Sequence, residues 1–176
     1  APASYGEVYH RINNGIYLGN APPDAESAAQ PGSNADGDDL NGNDDEDGVT
    51  MPELNLGTTV PITVKGVNNL GGYAYLNAWA DWNGDGVFTD GGSERIAYNV
   101  PSGNGVVNNM LTVNVAIPNT ATRNKTYMRF RWSTTPTLAP TAVGNYNGEV
   151  EDYAINVVER LDYGDAPATY TQVAHR

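Results

Sequence analysis

The stretch MLTVNVAIPNTATRNKTYMRFRWS, residues 110–133, decides the fold. In its first half Leu111, Val113, Val115 and Ile117 fall at every second position with Asn114 among them. In its second half Met128, Phe130 and Trp132 do the same and leave Arg129 and Arg131 on the opposite side. Side chains alternate between the two faces of a strand, so each half predicts a strand with one apolar and one polar face. The apolar faces predict a core, and the arginine face predicts a wet surface. Further alternating runs at 58–67, 73–81, 94–100 and 152–159 are separated by turn-forming residues. No helical period of useful length competes with them. The expected class is therefore all-β, a β-sandwich with little helix.

The two ends of the chain repeat each other. APASYGEVYHR (residues 1–11) and APATYTQVAHR (residues 166–176) are identical at seven of eleven positions and offset by 165 residues. Such an offset predicts that residues 1–161 are one sandwich repeat unit of a tandem array and that 162–176 begin the next, packing at the junction between units. A period of that size is long enough to close its own core. LDYGD (161–165) leads straight into the second copy with no Gly/Ser-rich linker. Neighbouring copies of the same repeat are thus expected to join stiffly, head to tail.

Charge narrows the partners. With 9 Lys+Arg against 21 Asp+Glu the net charge is -12, which repels nucleic acid and anionic lipid and attracts divalent cations. There is no cysteine, so any stabilising ion must be held by oxygens or by the two histidines, a donor set that favours a hard cation. No apolar stretch approaches the length of a membrane span, so no membrane insertion of this fragment is expected. Gly-x-Ser-x-Gly, His-Glu-x-x-His, a phosphate-binding glycine loop and a cysteine nucleophile are all absent, which argues against an enzyme. His10 and His175 occupy the same repeat position and read as structural.

The most specific motif is DWNGDGVFTDGGSERI, residues 81–96. Asp81, Asn83 and Asp85 stand at positions 1, 3 and 5 of a calcium loop, Gly86 allows the sharp turn at position 6, and the Val87 carbonyl follows at position 7. Position 12 is Gly92 where a bidentate Glu is expected, so the last carboxylate must come from Asp90, Glu94, Glu149 or Glu151. Strand patterns flank the loop, making it a strand-loop-strand site. The alternative is an Asn-Gly and Asp-Gly hairpin turn without an ion. A second ligand-dense run lies in the acidic region 21–50, at Asp36, Asp38, Asp39, Asn41, Asn43, Asp45 and Asp47. It has too few large apolar residues to order itself, and reads either as an ion-ordered cap on the sandwich or as an acidic linker. Trp79, Tyr73 and Tyr75 alternate on one strand face and could stack on surface glycans; core packing is the competing reading.

Four strings in order, DDEDGV (44–49), DWNGDGVF (81–88), GEVEDYAI (148–155) and DYGDAPATY (162–170), resemble the GEVED domain family. The resemblance implies an extracellular, calcium-dependent β-sandwich repeat of large secreted bacterial surface proteins or adhesins. It names no receptor, and a carbohydrate-binding module of such a protein is the alternative. Within GEVEDYAI, Tyr153, Ile155 and Val157 share one strand face with Glu149 and Glu151. These two glutamates either complete a calcium site or pair with Arg129 and Arg131.

Overall fold

Both halves of the 110–133 stretch are strands in the computed structural model, which describes residues 1–25, 28–35, 47–163 and 174–175, with 162–163 and 174–175 described by backbone alone. In chain order the described strands are β1 (Ile16–Leu18), β2 (Val49–Thr50), β3 (Leu54–Asn55), β4 (Thr59–Asn68), β5 (Tyr75–Ala80), β6 (Arg95–Pro101), β7 (Asn108–Ala116), β8 (Thr126–Ser133), β9 (Glu149–Ile155), β10 (Val157–Val158), β11 (Asp162–Tyr163) and β12 (Ala174–His175). The one helical piece among the described residues is a 3₁₀ turn, Ala3–Tyr5. The chain is an all-β sandwich.

The two halves belong to opposite sheets. β7 runs antiparallel along β4 from Thr59↔Ala116 to Val67↔Asn108, and the other edge of β4 carries β1 and then β2. β8 lies between β5 and β9, with β6 beyond β5, all antiparallel. Residues 117–125 therefore cross from one sheet to the other, and the apolar faces the alternation predicts meet between the sheets. Ile62, Val64, Val113 and Val115 from the first pack with Leu76, Met128, Phe130 and Trp132 from the second. Gly66 makes room for the largest of these: a Cβ there would lie 2.7 Å from the Trp132 ring, whose Nε1 donates to the Val67 carbonyl at 2.8 Å. Parallel pairing of β10 with β3 fastens the end of the sandwich.

The predicted strands recur with ends shifted by a few residues. The largest departure is β9, which begins at Glu149 rather than at 152. The expected wet surface is corrected outright. Arg129 and Arg131 do face away from the inter-sheet core, but they are 3% and 0% exposed. Residues 1–12 and the 134–148 loop cover this outer face, where Tyr5, Ala35, Trp79, Phe88 and Tyr127 form a second apolar cluster. Alternation fixes which residues share a face; what comes to lie over that face depends on contacts far away in sequence. The strand pair β11–β12 joins Asp162 to His175 and Tyr163 to Ala174 in register. The rest of the expected second-copy segment, 164–173 and 176, lies outside the described residues.

Candidate functional site

The 81–96 loop leaves β5 at the end of the sheet where β8 begins. Asp81 is buried at its root, its carbonyl accepting from Thr126 Oγ1 at 2.6 Å. Its carboxylate organises the turn. Oδ1 accepts from the Gly84 N–H at 2.7 Å and the Asp85 N–H at 3.3 Å, while Oδ2 accepts from the Gly86 N–H at 3.0 Å and the Tyr5 hydroxyl at 2.6 Å. A carboxylate offers about four acceptor positions, so these donors use its capacity. Burial, followed by the bond to Asp81, pushes the Tyr5 phenol above its ordinary pKa.

The calcium-type spacing does bring three of its predicted members together. Asn83 Oδ1 accepts from the Asp85 N–H at 2.8 Å, and Asn83 Nδ2 donates to Asp85 Oδ2 at 2.9 Å. Asp85 Oδ1 accepts from the Val87 N–H at 3.1 Å. Asn83, Asp85 and Val87 are exposed at the mouth of the turn. As donors they suit a hard cation, but three residues fall short of the six to eight oxygens calcium takes. The others are held elsewhere. Asp90 accepts from Trp79 Nε1 at 3.1 Å and from Arg95, and Glu94 from the Thr89 N–H at 2.8 Å. Among the described residues no group of three or more His, Asp or Glu side chains is placed to hold a metal ion.

Glu149 and Glu151 belong to the other end of the sheet, because the register Thr126↔Ile155 to Trp132↔Glu149 runs the length of β8 away from Asp81. Six residues of strand separate the two ends, roughly 20 Å. At that distance these glutamates do not complete the Asp81 loop, and the expected pairing with Arg129 and Arg131 gives way to another arrangement. They face away from Arg129 and Arg131 and bind backbone: Glu149 Oε2 accepts from the Leu18 N–H at 2.5 Å, and Glu151 Oε1 from the Gly48 N–H at 3.1 Å. Glu151 Oε2 also accepts from the Tyr153 hydroxyl at 3.0 Å. The two carboxylates thus fasten β1 and the start of β2 to the edge of β9. Gly148 opens the strand at φ 105, where a Cβ would lie 1.9 Å from the Trp132 carbonyl oxygen.

Asp47, the last member of the acidic run, sits nearby. Its carboxylate accepts from the Asn20 N–H at 2.7 Å and from Asn20 Nδ2 at 2.5 Å. Asp36, Asp38, Asp39, Asn41, Asn43 and Asp45 lie outside the described residues.

Sequence reasoning missed the outer-face seat of residues 1–11. Arg129 takes Asp152 as a bidentate partner, Nε to Oδ1 at 2.7 Å and Nη2 to Oδ2 at 2.8 Å. Burial alone would raise the Asp152 pKa, but the Arg129 bonds and charge hold it below the usual carboxylate value. Arg129 Nη1 also donates to the carbonyls of Tyr5, Gly6 and Pro140. Arg131 Nε donates to His10 Nε2 at 2.9 Å, which makes His10 Nδ1 the protonated nitrogen, donating to the Asn147 carbonyl at 2.8 Å. Burial and the Arg131 charge lower His10 to about 4. His10 thus bridges Arg131 and the Asn147 carbonyl in its neutral form. Trp79, offered as a glycan platform with Tyr73 and Tyr75, is fully buried in the second apolar cluster. Tyr73 stays 47% exposed, its ring 6.4 Å from that of Tyr75.

No curated protein and no solved structure matches the chain. The family comparison falls on the part of the molecule that holds both the Asp81 loop and the Glu149–Glu151 strand. Residues 75–156, from the start of β5 past the end of β9, match the model of the GEVED domain, and the chain carries a GEVED domain over that span.

Proposed function

We propose that the chain is a structural repeat of a secreted bacterial surface protein, joined stiffly head to tail to neighbouring units and stabilised by calcium. One observation carries this reading: the opening segment, repeated in sequence at 166–176, is built into the fold of its unit. Tyr5 fills the outer cluster and His10 caps Arg131, so the repeated positions are structural anchors rather than a tether. Ala3–Tyr5 lies by the Asp81 loop, and β10 leaves at the same end, where the Leu56 N–H donates to the Val158 carbonyl and Arg123 meets Glu159 at 3.2 Å. In this reading a following unit begins beside the Asp81 loop, and few residues are left to act as a hinge.

Calcium enters at that turn. Asn83, Asp85 and the Val87 carbonyl meet the ion at the mouth of the turn that Asp81 holds together, and the run 36–47 offers a second set. An affinity of roughly 0.1–1 mM, usual for extracellular modules, is enough to order both loops where calcium is millimolar. Melting the protein in millimolar calcium and in chelator tests the ion: a higher Tm with calcium is expected, and superimposable curves contradict it. Electron micrographs of the multi-unit protein test the array. Beads at regular spacing along a straight filament are expected, and freely jointed beads contradict it.

A further inference from the structure

We propose that Gly6 matches the opening segment to its own unit and that Thr171 bars the corresponding segment at the other end of the chain from the same seat, so that consecutive units keep their own segments instead of exchanging them. The inference rests on the tandem reading above and specifies the partner of each seat. Residues 1–11 and 166–176 differ at four positions. Three of these, Ser4, Glu7 and Tyr9, are exposed, so Thr169, Gln172 and Ala174 in their places would leave the seat untouched. The anchors Tyr5 and His10 recur as Tyr170 and His175. On anchors and surface positions alone the two segments would be interchangeable.

Gly6 breaks the equivalence. It follows the 3₁₀ turn at φ 80 and ψ 138, and its carbonyl accepts from both Nη atoms of Arg129. A Cβ there would stand 2.7 Å from Thr141 Cγ2. A β-branched residue is stiff and strongly disfavoured at such a backbone angle. Thr171 therefore cannot follow the path of Gly6 while Tyr170 and His175 take the places of Tyr5 and His10. Tandem neighbours of similar sequence are prone to swap equivalent elements during folding, and one glycine-for-threonine difference inside an otherwise shared segment guards against it.

The test uses the full 176-residue chain and the titration of its two histidines by NMR, together with the Tm. In the parent protein burial and the Arg131 charge are expected to hold His10 at about 4. G6T is expected to release the segment, moving His10 toward the ordinary value of about 6.5 and lowering the Tm. The triple variant S4T/E7Q/Y9A should match the parent in both readouts. In G6T/T171G the glycine has changed segments, and a histidine titrating near 4 should reappear, now assigned to His175. A G6T chain indistinguishable from the parent overturns the proposal, as does a G6T/T171G chain with no low-titrating histidine. Micrographs of jointed beads would leave these outcomes intact, and a G6T chain that keeps its segment seated would leave the filament reading intact.

Discussion

At one end of the β5–β8–β9 sheet the Asp81 carboxylate draws its N–H donors from residues 84, 85 and 86, and at the other Glu149 and Glu151 draw theirs from Leu18 and Gly48. The chemistry is the same, a carboxylate satisfied by backbone amides, but the loop closure differs. Asp81 closes a turn upon itself, with Gly84 and Asp85 exposed. Glu151 closes a loop of 103 residues and is 0% exposed, as its partner Gly48 is buried. The first shapes a surface loop, whereas the second holds β1 and β2 against the other sheet. An acidic motif can thus be a local turn device or a long-range fastener, and the difference lies in where its donors come from.

The largest effect should follow from breaking the long-range end. Glu151→Ala removes the carboxylate that accepts from the Gly48 N–H and from the Tyr153 hydroxyl. The buried Gly48 N–H left without this acceptor costs about 1–3 kcal/mol and the half-buried Tyr153 hydroxyl adds less, so a loss near 3 kcal/mol is expected by denaturant unfolding. Amide exchange should accelerate at Leu18, Gly48 and Val49 while the 84–86 amides keep their rates. Equal acceleration at both ends would mean that the fastener is not separable from the loop. Asp81→Ala comes next, at about 2 kcal/mol, although Asp81 accepts more bonds: the amides it abandons at Gly84 and Asp85 can turn to water. A cost above that of Glu151→Ala would invert the comparison.

The same contrast explains how much could be read beforehand. The backbone N–H donors that Asp81, Asn83 and Asp85 accept from lie within five positions, so their spacing alone announced a tight, oxygen-rich turn. Leu111 to Ile117 and Met128 to Trp132 announced their strands for a similar reason, since alternation is a nearest-neighbour property. The donors of Glu149 and Glu151 lie 131 and 103 residues away, and no local pattern points to them. Arg129 and Arg131 looked solvated because nothing adjacent to them predicts the cover that residues 5, 6 and 10 provide from more than 120 positions upstream. The repeat of residues 1–11 at 166–176 was the available signal that this segment does more than lead into the fold, and Gly6 only acquires meaning once its φ and the place of Thr141 are known.

Tyr5→Phe is the smallest and most selective change, because it reaches the Asp81 loop from the distant segment and so crosses the division between local and long-range ends. The ring stays in place against Phe88 and Tyr127, at centroid distances of 4.7 and 4.9 Å, and only the hydroxyl bond to Asp81 Oδ2 is removed. Gly86 still donates to that oxygen, so the carboxylate is not stranded and the expected loss is about 1 kcal/mol near neutral pH. Alkali separates this bond from the packing around it. The folded phenol is raised above its ordinary value by burial and by Asp81, so above pH 10 the unfolded chain releases this proton first. Fewer protons bound in the unfolded state mean that stability falls with rising pH, starting near 10 and continuing until the folded phenol ionises. The Phe variant should lack that component, and its Tm difference from the parent should shrink as the pH climbs past 10. A Phe variant as stable as the parent from pH 8 to 11 would show that Tyr5 contributes through its ring alone and that the Asp81 loop holds itself without help from the opening segment.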